Sequence, residues 1–253
     1  DAVGINEDDS AKCFSCGEFM PSYDKACGGK DMQTAKTTTT TFKQPDMVEG
    51  GQFNALKDRQ ISQATATKYG VKSMSDLQGN IVKHFYPYYN GHELSATKIR
   101  NVINKDFYLS GTYNETGLFG QQLFKSGKYV TITEGECDAM SAYELLGSKW
   151  AVVSIKRGAQ GAVKDIKESL EFFDEFENVI IAFDNDKAGK EASIKVARLF
   201  KPGKAKILTL PNGFKDPNDM LRSNRHKEFV ETWWASKVYT PSGVINVTEQ
   251  RDK

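Results

Sequence analysis

At 253 residues the chain has room for one large domain or two modest ones around a real core. Its 39% hydrophobic and 26% charged content is ordinary for a globular protein, and 34 Lys+Arg against 33 Asp+Glu leave a net charge of +1. That balance excludes a protein that holds nucleic acid through bulk charge alone, so any such contact has to rest on local basic patches. No stretch comes near the roughly 18 uninterrupted apolar residues of a membrane span. The opening Asp1-Ala2-Val3-Gly4 has neither the basic start nor the apolar run of a secretory signal. It also lacks an initiator Met, and the expectation is a fragment or processed product. Cys13, Cys16, Cys27 and Cys137 are too few for a disulfide framework in this length, which points to a reducing, cytoplasmic setting with no membrane partner.

In chain order, residues 1–20 predict a short hairpin around Cys13-Phe14-Ser15-Cys16-Gly17. Cys13-x-x-Cys16 is one knuckle of a four-ligand zinc site, and only Cys27 follows it closely, so Cys13 and Cys16 make half a site. His84 and His92 read as ordinary surface or core residues. Residues 28–44 hold adjacent glycines, five threonines in a row and almost nothing apolar, the composition of a linker. From Asn54 to Tyr69 the spacing of Leu56, Ile61 and Tyr69 predicts a helix, and residues 81–86 and 94–109 alternate loosely as short strands would.

The text from 128 to 235 is clearer. Strands are predicted at 129–133, 151–155, 179–183 and 205–210, with helices at 137–146, 162–173, 188–200 and 227–234. Near-continuous apolar strands such as VIIAF and AVVSI, alternating with amphipathic helices, predict an α/β fold with a parallel sheet covered by helices on both faces. No internal repeat is present.

Chemistry in open parallel sheets gathers outside the carboxyl ends of the strands. Two such ends are acidic here: Glu134-Gly135-Glu136-Cys137-Asp138 and Asp184-Asn185-Asp186-Lys187-Ala188-Gly189. Unit charges about 4 Å apart repel by roughly 4 kcal/mol at an effective dielectric of 20. Carboxylates packed this way need a cation or a shared proton, and hard oxygen ligands with no histidine nearby favour Mg²⁺ or Mn²⁺. Helix capping is the competing explanation, strongest for Glu136 and Asp138. Glu134, Asp184 and Asp186 are the candidate metal ligands.

These residues resemble the Toprim domain. Its E-G-E-x-D-A and D-x-D-x-A-G motifs are similar to residues 134–139 and 184–189, SIKRGAQG at 154–161 resembles the Gly-bearing segment between them, and Lys215-Asp216-Pro217-Asn218-Asp219 resembles the stretch after the last strand of replicative primases. Upstream, Ala96-Thr97-Lys98-Ile99-Arg100-Asn101, Lys105-Asp106-Phe107 and the Thr116-Gly117-Leu118-Phe119-Gly120 turn resemble the primase half of phage-type primase–helicases.

The resemblance implies several expectations. A partial zinc ribbon (1–27, beginning after its first cysteine pair) and a linker (28–44) would precede a small, basic α+β subdomain (45–125). A Toprim catalytic domain (126–235) would follow, then the start of a linker (236–253) toward a helicase domain. Glu134, Asp184 and Asp186 would bind catalytic ions, with Asp138 and Asp216 as accessory acids. Lys98, Arg100 and Lys105 would hold nucleoside triphosphates or template phosphates, and Lys156 and Arg157, just past a strand end, are further phosphate candidates. Zn²⁺ would belong to the full-length protein only. The implied activity is RNA primer synthesis on single-stranded DNA from ribonucleoside triphosphates, with a replicative polymerase and a helicase domain as partners. No G-x-x-x-x-G-K-[S/T] loop is present, so unwinding is not encoded in these residues. Three alternatives stay open: a non-catalytic DNA-binding module like the recombination mediators, a silent primase half of a replicative helicase, and a Toprim nuclease.

Overall fold

The apolar runs of the second half become the middle of the molecule. The protein is described by a computed structural model over residues 3–5, 11–13, 19–20 and 50–241, and it divides into two units, Asp1–Phe42 and Lys43–Lys253. In the first unit β1 (Val3–Ile5), β2 (Ala11–Cys13) and β3 (Phe19–Met20) pair antiparallel in that order, one strand more than the predicted hairpin. Cys16, Cys27, the 28–44 linker and residues 242–253 lie outside the described residues.

The second unit opens with a departure from the predicted 54–69 helix. Leu56 and Ile61 exchange backbone hydrogen bonds across a short 3-10 turn (Lys57–Arg59) that Gln60 closes in the left-handed region at φ 55°. Helix α1 then covers only Gln63–Lys68, its start fixed by the Ser62 hydroxyl accepting from the Thr65 N–H. The apolar spacing that resembled one long helix is thus shared between a tight turn and a short helix.

Four antiparallel strands follow in sequence order: β4 (Lys72–Ser75), β5 (Ile81–Asn90), β6 (Glu93–Asn101) and β7 (Phe107–Gly111). β5 runs past the predicted 81–86, and the predicted 94–109 segment is divided by a turn into β6 and β7. The Asn101 side chain, which accepts from the Ile103 and Asn104 N–H groups, turns the chain out of β6.

The main sheet is made of β8 (Gly127–Thr133), β9 (Ala151–Ser154), β10 (Phe176–Ala182), β11 (Ala205–Ile207) and β12 (Lys237–Val238), ordered β12-β11-β10-β8-β9. All pairings are parallel except that of β12, which adds an antiparallel edge. The helices are α2 (Glu136–Leu145), α3 (Gly158–Glu168), α4 (Leu170–Asp174), α5 (Lys187–Ala197), α6 (Pro217–Arg222) and α7 (His226–Trp234). The predicted 162–173 helix starts earlier and breaks at Ser169 into α3 and α4, and α6 appears where none was predicted. No described helix is long and apolar enough to cross a membrane.

Alternate residues of the strands enter two cores. Val130, Ile132, Val153, Val179 and Ile181 pack with Ala162, Ile166, Phe173 and Val196 of α3, α4 and α5. On the other face Val152, Ile180 and Ala182 meet Met140 of α2, Met220 of α6 and Phe229 and Trp233 of α7, continuous with Tyr69, Tyr86, Tyr88 and Phe119 of the preceding subdomain. Thr131 faces this core and is satisfied there, accepting from the Trp233 indole N–H at 3.0 Å.

The two halves of the second unit are tied by buried polar contacts as well as apolar ones. The Tyr69 hydroxyl donates to the Val152 carbonyl at 2.9 Å, and Phe119 and Ser154 exchange backbone hydrogen bonds at the free edge of β9. Fully enclosed Asn218 donates from Nδ2 to the Arg59 carbonyl (2.9 Å) and the Ser141 hydroxyl (2.8 Å). Removing it strands two buried acceptors, so Asn218→Ala should lower unfolding free energy by about 1–3 kcal/mol. Urea denaturation checks this, and an unshifted midpoint would show that the bridge contributes nothing.

Candidate active site

The chain runs from β8 through α2 to β9 on one side, then returns across β8 to β10 on the other. The reversal opens a crevice between the carboxyl ends of β8 and β10, where ligands bind in open α/β sheets. Glu134 follows β8 directly and Asp184 follows β10 after Phe183. Both acidic motifs therefore converge, with Asp138 on the first turn of α2 and Asp216 capping α6.

Local contacts explain why the motifs need their small and polar residues. A Cβ on Gly189 would lie 2.2 Å from the Asp184 carbonyl oxygen, so only glycine lets α5 start against that backbone. A Cβ on Gly135 would lie 2.6 Å from Asp138 Oδ2. The Asn185 N–H donates to the Lys215 carbonyl at 2.7 Å, and its side-chain amide donates to the Leu210 and Phe214 carbonyls, which draws the 211–216 loop beside Asp184.

Carboxylate oxygens of Asp138, Asp184 and Asp216 come within 4.8 Å of one another. This trio differs from the one the sequence singled out: Asp184 is common to both, while Asp138 and Asp216, expected as accessory acids, complete the tight cluster. Glu134 and Asp186 border it. Glu134 accepts the Ala159 N–H at 3.1 Å through Oε1, whereas its Oε2 is buried with no hydrogen-bond partner. Exposed Asp186 caps α5 by accepting the Gly189 N–H at 2.8 Å. The Lys215 ammonium lies 2.8 Å from Asp184 Oδ2.

Burial raises the Asp138 carboxyl well above the usual range, helped by the charges of Asp216 and Asp184. The same two causes raise Glu134, through burial and then Asp184. Burial also raises Asp216, and repulsion from Asp219 and Asp184 adds to it against the lowering by the Asp219 N–H. A dense set of oxygen donors, one of them orphaned, whose ionisation is opposed by burial and then by mutual repulsion, suits a hard divalent cation.

Glu134, Asp138 and Asp184 share a cavity of about 620 Å³ with a basic wall. Lys98 on β6 reaches Glu136 at 2.7 Å, and the same Oε1 accepts the Tyr88 hydroxyl at 2.6 Å. Arg157 also lines the cavity, positioned by fully buried Asp165, whose carboxylate pairs with its guanidinium and accepts the Lys156 and Arg157 N–H groups. Lys156 is present but buried, its ammonium donating to the Thr116 and Asn114 carbonyls, so it holds the wall together. The other two basic candidates are not brought in. Arg100 lies further along β6 between His84 and Phe107, and Lys105 is exposed on the β6–β7 turn at φ 60°.

The structure adds residues the sequence reading did not single out: Lys215 as counter-ion, Glu136 as the partner of Lys98, and Asp165 as anchor of the wall. Lys215 and Glu136 carried a signal in their places in the K-D-P-N-D and E-G-E-x-D-A motifs, whereas Asp165 carried none. His84 is fully buried between Asp58 (3.1 Å) and the Tyr86 hydroxyl (2.9 Å).

Raised carboxyl pKa values make the folded chain bind more protons than the unfolded one, so stability falls as pH rises through the window between the two values. The penalty is absent below the unfolded value, about 4, and complete above the raised folded values of Glu134, Asp138 and Asp216. A cation on these oxygens offsets it. Mg²⁺ should therefore raise Tm more near pH 8 than near pH 5, and Asp184→Asn should remove most of that increment. Equal increments in both proteins would place the ion elsewhere.

Residues 131–221 match the family described as Toprim-like. Over 272 aligned positions the chain is 28% identical to the DNA helicase/primase of Enterobacteria phage T3, covering 100% of this chain and 44% of that one. The chain thus spans less than half the length of this curated relative. The primase fragment of the bacteriophage T7 primase–helicase protein superposes with a TM-score of 0.67 at 27% identity, over 92% of this chain and 94% of that one. A second T7 structure holds a lagging-strand DNA polymerase interacting with primase domains bound to an RNA/DNA hybrid and dTTP. One of its chains matches with a TM-score of 0.66 at 31% identity, over 75% of this chain and 94% of that one. Its crevice acids, its sheet order and these likenesses place it together: the chain belongs to the Toprim primases of the T7-like phage primase–helicase type.

Proposed function

We propose that this chain is the catalytic core of a DNA primase, joining ribonucleoside triphosphates on a single-stranded DNA template. The observation that carries the reading is the meeting of Glu134, Asp138 and Asp184 in one cavity with Lys98 and Arg157, with Asp216 closing the acidic cluster behind them. Acids alone serve many ends; acids facing a basic wall suit a phosphate chain held between cation and guanidinium.

In this reading Asp138, Asp184 and Asp216 would hold a Mg²⁺ or Mn²⁺ ion, with Glu134, whose Oε2 has no hydrogen-bond partner, as a further oxygen donor beside them. Asp186, whose Oδ1 accepts the Gly189 N–H, would supply a donor for a second ion. The bound ion offsets charge on the transferring phosphate and lowers the pKa of the attacking hydroxyl. The 3′-oxygen of one nucleotide bonds to the α-phosphorus of the next, its proton is lost and pyrophosphate leaves. Arg157, preorganised by Asp165, meets phosphate oxygens, and Lys98 is released to them when it exchanges Glu136 for the ligand. Lys215 neutralises Asp184 until the ion is bound. Arg100 and Lys105, away from the cavity, serve template phosphates. Zinc at Cys13 and Cys16, the replicative polymerase, the helicase domain and the cytoplasmic setting belong to the longer protein this reading implies. The basic subdomain ahead of the Toprim sheet favours synthesis over a binding module or a nuclease.

The test is incubation with mixed-sequence single-stranded DNA, labelled ribonucleotides and Mg²⁺, with and without a preformed dinucleotide. Short labelled RNA is expected, reduced about a hundredfold or more by Asp184→Ala, in keeping with several kcal/mol of metal stabilisation. RNA made equally by that variant would reject the site. Failure to extend even the dinucleotide, with DNA still bound, would favour the binding module.

A further inference from the structure

Strand β7 closes the antiparallel sheet as its edge, and its side chains are apolar where an edge is usually polar. Phe107 is 63% exposed and Leu109 41% exposed, both among the large apolar side chains left uncovered. They are two apart, so they share one face of the strand, and both line the carboxylate cavity. Tyr108, between them, turns to the other face, where the Lys83 ammonium lies 5.9 Å from its ring.

The Phe107 ring is joined to the chemistry through one side chain. The Lys98 ammonium stands 4.8 Å from its centroid and 2.7 Å from Glu136, which immediately precedes the Cys137-Asp138 pair of α2. Next to it, Tyr113 is fixed: its ring meets Tyr88 edge-on at 4.7 Å and its hydroxyl donates to the Lys156 carbonyl. The cavity therefore has a charged floor for phosphates and, on a separate element, an apolar wall with an aromatic ring held at its rim by a cation.

We infer that Phe107, with Leu109 beneath it, is the stacking wall for the base of the ribonucleoside triphosphate whose phosphates face Asp138 and Asp184. This rests on the nucleotide reading of the same cavity. A flat aromatic face suits the task because every base offers a π-surface, so one wall serves all four nucleotides while pairing with the template supplies the choice. The incoming nucleotide is preferred over a template base because phosphate sites and wall belong to one cavity of about 620 Å³, the size of a single small-molecule site.

Calorimetric titration in Mg²⁺ with ATP, with base-free tripolyphosphate and with an oligodeoxythymidylate decides it. Phe107→Ala should weaken ATP binding about tenfold and leave tripolyphosphate unchanged. Phe107→Leu, which keeps apolar bulk without a π-face, should weaken ATP likewise, Phe107→Tyr should restore it, and Tyr108→Ala should match the wild type. Unchanged ATP affinity in Phe107→Ala overturns the inference, as does an equal loss for ATP and tripolyphosphate. A loss confined to the oligodeoxythymidylate assigns the wall to template and overturns it too. If the wild type binds neither ATP nor tripolyphosphate, the nucleotide reading itself falls, a result distinct from the others.

Discussion

Mutual repulsion among the carboxylates at the ends of β8 and β10 is the constraint around which the rest of the chain is arranged. Three aspartate oxygens within 4.8 Å of one another cannot be held by their own chemistry. They are held by backbone. Gly189 lets α5 begin against the Asp184 carbonyl, Asn185 clamps the loop that delivers Asp216, and each helix start contributes N–H groups that favour negative charge. The stability that this arrangement loses is supplied by the two buried faces of the sheet.

The basic wall obeys the same logic with the sign reversed. Arg157 is paired with buried Asp165, Lys98 with Glu136, and Lys215 with Asp184. Local pairing explains how a chain with a net charge of only +1 carries a phosphate-facing surface. Each cation has a resting partner inside the protein, so charge is available where a ligand can displace a carboxylate and is quiet elsewhere. Bulk charge was a poor guide to partners for this reason.

What the sequence displayed and what it hid divide along physical lines. Strands buried on both faces are written as unbroken apolar runs, so the parallel sheet and the acids at its ends were legible. Strands with one wet face, such as β6 with Lys98 and Arg100, carry a diluted alternation, which hides the turn that separates β6 from β7 within 94–109. The 54–69 segment misled because a Leu56–Ile61 turn places apolar residues at helical spacing without a helix. Asp216 joins Asp138 and Asp184 from 32 residues beyond the second acidic strand end, counted from 184 to 216, which no local pattern encodes. Glu136 stood in the first acidic motif, but its pairing with Lys98, 38 residues away, leaves no periodic trace, and neither does the role of Asp165 as anchor of Arg157.

The K-D-P-N-D segment shows how tightly these demands can be written. Lys215 neutralises Asp184; Asp216 enters the acidic cluster and caps α6 by accepting the Asp219 N–H. Pro217 occupies the first position of α6, where its missing N–H costs nothing. Asn218 bridges Arg59 to Ser141, and Asp219 accepts the Lys215 N–H. Five consecutive residues thus close the acidic site, start a helix and fasten the preceding subdomain to the sheet. Because Asn218 is two residues from Asp216, the bridge that joins the two halves also sets where the third carboxylate stands. The basic wall and the acidic floor are therefore fastened together through the same short segment.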